Sequence, residues 1–184
     1  MASQRLTQCE LHDLFLQDVG SIAENVIDNG RKPLYLRLAY PFNREIKVYI
    51  FNCTAPPGGR SIDEFKVQLI LDRQKRGERG KFDTSDGRTT LIVGYASPFI
   101  DLSDGIWVLF ELDKHLEFAY SANIQVYLRQ ILPALENDVY VCQKHNQEIL
   151  VLSQRQYLLN ALEERFDIDL HVMLERAEHG TKGI

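Results

Sequence analysis

Between Arg73 and Phe82 the chain carries five basic residues and one acidic one, with two glycines that leave the main chain bare. Four of those cations, Arg73, Lys75, Arg76 and Arg79, fall within seven residues, and Lys81 follows. Repulsion among them is relieved either by solvent or by an anion, and a row of phosphates is the anion that matches such a run. A second stretch, from Asp113 to Gln125, is rich in groups that both donate and accept: His115, Tyr120, Ser121, Asn123 and Gln125, with Lys114 beside them. Side-chain amides of Asn and Gln pair in a bidentate manner with adenine, as a guanidinium such as that of Arg60 does with guanine, and these are the types that direct base readout requires. The plainer readings are a solvated charge run for the first stretch and a turn capping the following helix for the second.

Catalytic constellations are sparse. Glu64-Phe-Lys66 has the form of the E-x-K element of metal-dependent nucleases, but the upstream acid at a plausible spacing, Asp28, falls in a segment expected to be helical. The sequence has no G-x-S-x-G elbow, no phosphate loop and no H-x-x-x-H pair, and His12, His115, His145, His171 and His179 are scattered. No metal, cofactor or catalytic residue is therefore expected, and a nuclease using Glu64 and Lys66 stands as an alternative. Cys9, Cys53 and Cys142 are odd in number and far apart, which suits neither a disulfide framework nor a metal pair and points to a reducing, cytoplasmic setting. No apolar run approaches the roughly 18 to 20 residues that span a bilayer, so no membrane segment is expected.

The net charge of −5 argues against a nucleic-acid partner until its distribution is considered. Residues 31–82 hold twelve basic and five acidic residues, about +7, so the remainder carries about −12. The chain is electrically polarised, with the basic loop inside the positive part.

The elements that must position these groups read as α+β. Spacings of three and four from Leu11 to Ile27 predict a helix over 10–29, closed by Gly30. β-branched and aromatic runs predict seven strands, near 34–40, 46–52, 65–71, 89–95, 105–112, 139–142 and 148–152. A helical pattern over 124–135, and a closing helix over 153–177 with Ser153 as N-cap and a resumption across Leu170 to Leu174, complete the chain. The expectation is one domain, core 33–152, with a mostly antiparallel curved sheet or pseudobarrel of about seven strands and flanking N- and C-terminal helices.

The stretch from Val48 to Gln68, with Asn52, Gly58-Gly-Arg60-Ser61 and Glu64-Phe-Lys66, is followed by Leu91-Ile-Val-Gly-Tyr95, Trp107 to Asp113, His115 and Ser121-Ala-Asn-Ile-Gln-Val126. Together they resemble the DNA-binding, target-recognition domains of bacterial restriction endonucleases, over about residues 35–152. Such domains look like the pseudobarrel of plant B-three-type transcription factors, which grips the major groove with two arms. The resemblance implies a first arm over 54–64, with Arg60 and Ser61 reading bases, and a second over 113–125, with His115, Tyr120, Ser121, Asn123 and Gln125 doing so. Arg73, Lys75, Arg76, Arg79, Lys81 and Lys114 would then hold phosphates. The partners implied are double-stranded DNA and a nuclease domain or subunit. Two further alternatives are a reader that flips a modified cytosine into a pocket lined by Tyr95, Trp107, Phe118 and Tyr120, and a protein-interaction domain.

Overall fold

The structure, a computed structural model, describes residues 5–55, 61–98, 101 and 104–180, the last two by backbone alone. Its centre is an open sheet of nine strands. Their order is β1 (Ala23–Ile27), β2 (Leu34–Leu38), β3 (Arg44–Thr54), β6 (Thr89–Ala96), β7 (Ile106–Phe110), β11 (Ile149–Gln154) and β10 (Val139–Gln143). β4 (Glu64–Leu69) pairs with the far end of β3, and β9 (Ala122–Tyr127) pairs with β4. Every pairing is antiparallel except β3 with β6. A separate two-stranded sheet joins β5 (Arg79–Lys81) to β8 (Glu117–Ala119).

All seven expected strands are present, with shifted ends. The sheet does not close, so the seven-stranded pseudobarrel is replaced by an open sheet that branches at β3. β3 is long enough to serve two partners on one edge: Arg44 to Val48 face β2, and Cys53 and Thr54 face β4.

Both faces of the sheet are covered, and side chains sort between them with the period of two that a pleated strand imposes. From β3, Ile46, Val48 and Ile50 enter one core, with Leu91, Val93, Trp107 and Val151 from its neighbours. That core is closed by α1 (Gln8–Val19) and α3 (Leu158–Gly180) through Leu11, Phe15, Leu158, Leu162 and Phe166. Tyr49, Phe51 and Cys53 point the other way, into a second core with Val67, Phe82, Phe110, Phe118, Ile124 and Val126. The strand pair β4–β9 and the small β5–β8 sheet therefore lie over the face opposite the two long helices.

Three expectations about elements are corrected. α1 ends at Val19 because Gly20 takes a left-handed φ of 67° and donates its N–H to Leu16, and the chain then turns into β1. The apolar spacing runs on past Gly20, but Val26 and Ile27 lie exposed on an edge strand rather than in a helical stripe. The helical pattern over 124–135 is strand first: Ile124 and Val126 are buried while Asn123, Gln125 and Tyr127 face outward, and only then do the four-residue α2 (Leu128–Ile131) and a 3-10 turn follow. Ser153 lies inside β11 rather than capping a helix, and α3 begins five residues later and continues unbroken past Leu174. The three cysteines are free. Among the described residues no helix is long and apolar enough to cross a membrane.

Candidate nucleic-acid interface

The basic loop and the second arm meet. β5 pairs with β8 so that Arg79 faces Ala119, Gly80 faces Phe118 and Lys81 faces Glu117. Phe118 is buried against Phe82, with ring centroids 5.0 Å apart, so the basic ribbon is pinned to the second core by an aromatic pair. Glycine is needed at 80 because a Cβ there would stand 2.5 Å from the Phe118 ring. The cations divide into two groups. Arg73 lies 3.7 Å from Asp72 and Lys81 3.2 Å from Glu117, both exposed and worth little as ion pairs. Lys75, Arg76 and Arg79 are exposed with no side-chain ion pair among the described residues, as is Lys114 at the start of the arm.

The arm is strand rather than the helix-capping turn considered above. In the β4–β9 ladder Lys66 lies opposite Gln125 and Gln68 opposite Asn123, which puts a polar row on the face away from the core. Ser121 turns the chain with φ 62° and accepts from Gln68 Nε2 at 2.5 Å. Gln125 Nε2 donates to Glu64 Oε1 at 3.2 Å, and Glu64 is 9% exposed. Asn123 projects openly, while Tyr120 is half-buried. Of the first arm, Ser61 is exposed and donates to the Asp63 carboxylate, and Arg60 lies outside the described residues.

His115 is held rather than presented. Its Nε2 lies 2.6 Å from Glu148 Oε1, and the other carboxylate oxygen of Glu148 accepts from Lys144 Nζ at 2.7 Å. The Glu148 side chain is fully buried. Burial alone would raise its pKa, but the hydrogen bonds and charges of His115 and Lys144 outweigh it and hold the carboxyl below its ordinary value. Lys144 also donates to the main-chain oxygen of Gln125 at 3.0 Å, bridging β9 and the end of β10, two strands that do not pair. The open seam between those strands is a cleft of about 660 Å³, and Asn123 and Gln125 both line it.

Lys144 and Glu148 escape a reading of the sequence because Lys144-His-Asn-Gln-Glu148 has the composition of a hairpin turn. It is one: Gln147 takes φ 66° and donates to Lys144, and Lys144 donates to Glu148. The available signal is an acid at the start of an otherwise apolar strand.

Two expectations about chemistry meet the structure here. Tyr95, Trp107 and Phe118 are 3%, 0% and 5% exposed and packed in the cores, Tyr95 against Trp107 at 4.6 Å, so they do not line an open pocket for a flipped base. Glu64 is committed to Gln125, and Asp28 accepts from His12 Nδ1 at 2.7 Å and from the Gly30 N–H at 2.8 Å. Among the described residues no three His, Cys, Asp or Glu are grouped to hold a metal ion.

No curated protein and no solved structure matches the chain. Residues 44–162 do match a family, over about two thirds of the sequence, and that span takes in the basic ribbon, the β4–β9 ladder, the Glu148 cluster and the first residues of α3. The chain belongs to the methylase-associated X1 family, MTaX1.

Proposed function

We propose that this chain binds double-stranded DNA and reads a target site within a restriction–modification system. The observation that carries the reading is the pairing of β5 with β8, which sets Lys75, Arg76 and Arg79, without an ion pair among the described residues, beside the arm bearing Ser121, Asn123 and Gln125. Phosphate contacts fix register without carrying sequence information, and planar amides on a rigid strand discriminate base edges. The two kinds of group are joined through consecutive strands, β8 pairing with the basic segment and β9 carrying the amides. The family's association with methylases supplies the context: a methylase and its companion nuclease act at defined sites and need a module that finds them. In this reading the chain recognises and does not cut, and cleavage belongs to a separate domain or subunit.

Selection from a randomised duplex library, run with and without cytosine modification, tests it. Enrichment of a motif, with affinity falling steeply as salt rises, is the expected result. Recovery of an unenriched pool together with salt-independent affinity would defeat the proposal.

A further inference from the structure

The cleft between β9 and β10 has a composition unlike the rest of the chain. Acids outnumber bases in the sequence by five, yet none of the described residues that line this cleft is acidic. Glu148 and Glu64, whose carboxylates touch its lining, are buried and accept hydrogen bonds from lining residues. Two cations, Arg129 and Lys144, stand in the wall, and the Arg129 guanidinium stacks 4.5 Å from the Tyr127 ring centre. A second ring, Tyr140, and the amides of Asn123 and Gln125 complete the part that matters. At about 660 Å³ the space falls in the size range of small-ligand sites, about 300 to 1,000 Å³.

Each of these features selects something about the ligand. Aromatic rings accept a flat π-face without regard to its identity. Planar amides match a donor–acceptor edge. The Arg129 guanidinium, exposed and with no carboxylate among the described lining residues, selects an anion, and phosphate matches its planar fork, whereas the Lys144 ammonium is already paired with Glu148. We infer that the cleft is a nucleotide site, taking one base on the tyrosines and amides and its phosphate on Arg129. The nucleotide has two sources with the same chemistry: a free mononucleotide, or one unit extruded from a bound duplex. The second source rests on the DNA-binding reading above, and the first does not.

Two probes separate them. The purified chain is titrated calorimetrically with each of the four 2′-deoxynucleoside 5′-monophosphates and with inorganic phosphate. In parallel it is mixed with duplexes carrying 2-aminopurine at successive positions, whose emission rises when the base leaves the stack. Saturable binding of a monophosphate, at least tenfold tighter than phosphate alone, or a rise in emission at one position, is the expected result. Asn123→Ala and Arg129→Glu alter exposed side chains, so their thermal melting should match the parent, while the binding or the emission change falls at least tenfold. A monophosphate bound without an emission rise identifies the free ligand; an emission rise lost in Asn123→Ala identifies the extruded one. Duplex binding with neither signal would remove the nucleotide site and leave the DNA-binding reading intact. Absence of duplex binding leaves the monophosphate titration to decide, and monophosphates bound no better than phosphate would overturn the inference.

Discussion

Glu148 and His115, 33 residues apart in the chain, are joined at 2.6 Å between a fully buried carboxylate and a ring nitrogen. His115 is thus the rivet between the second arm and the β10–β11 hairpin, and Lys144 completes the clamp by reaching the Gln125 carbonyl. Removing the charge of Glu148 leaves the partly exposed Lys144 beside a buried, uncharged amide, a change that costs less than the roughly 3 to 5 kcal/mol typical of a fully buried pair because water reaches the ammonium. The folded carboxyl titrates below its unfolded value, so its stabilisation is complete above the unfolded range, about 4.3, and is lost as pH falls through the lower folded value. Urea unfolding of Glu148→Gln should therefore show a deficit at pH 7 that shrinks towards pH 3. A deficit that stays constant across that interval would show that shape rather than charge holds the clamp.

The basic ribbon has a steric requirement that can be tested alone. Gly80→Ala forces a methyl group to within 2.5 Å of the Phe118 ring, so the ribbon must lift or the ring must move. Overpacking of this kind costs about 1 to 3 kcal/mol. A lowered melting temperature, partly restored by adding Phe118→Leu, is expected. A double variant no more stable than Gly80→Ala would mean that the strain lies elsewhere.

If the free cations of the ribbon hold phosphates, replacing Arg76 and Arg79 together by alanine weakens binding to all duplexes alike. The slope of log affinity against log salt should fall by about one to two units. An unchanged slope would return this loop to the status of a solvated charge run.

Glu64 bears on cleavage. It is nearly buried and bonded to Gln125, and Lys66 lies across the ladder from that same glutamine. The chain alone should leave supercoiled plasmid intact with magnesium or manganese. Nicking that disappears in Glu64→Ala would make it a nuclease.

How much of this was legible in the sequence varies with the range of the forces involved. Seven of the strands could be read because a run of β-branched and aromatic residues, as in β3 or β6, is a local property, and a sheet covered on both faces buries such a run whole. The strand β9 could not, since Ile124, Leu128 and Ile131 also fit a helical period, and only pairing with β4 decides between the two. The same holds for β1, where the apolar spacing across Gly20 misleads. Asn123 and Gln125 were legible as residue types, and the basic loop as a charge run. Their adjacency was not, because it depends on a three-residue pairing between segments nearly forty positions apart. Lys144 and Glu148 were hidden by a turn-like composition that fully accounts for the turn and says nothing of the buried side chains.

Gln125 offers the sharpest test of base readout. Its amide nitrogen is engaged by Glu64 and its main-chain oxygen by Lys144, so the side chain is oriented before any ligand arrives and its amide oxygen is left to accept. A preset acceptor on a paired strand discriminates, because a wrong partner finds no freedom to adjust. A lost direct contact of this kind typically costs about 1 to 3 kcal/mol against the preferred base and little against the others. Gln125→Ala should thus relax preference at one position of the selected site while non-specific binding survives nearly intact, and Asn123→Ala should relax preference in the same way. The measurement is the affinity of each variant for the selected site and for every single-base change of it, at one fixed salt concentration. A uniform loss across all sequences would mean that β9 only positions the duplex and that selectivity comes from the shape and deformability of the DNA.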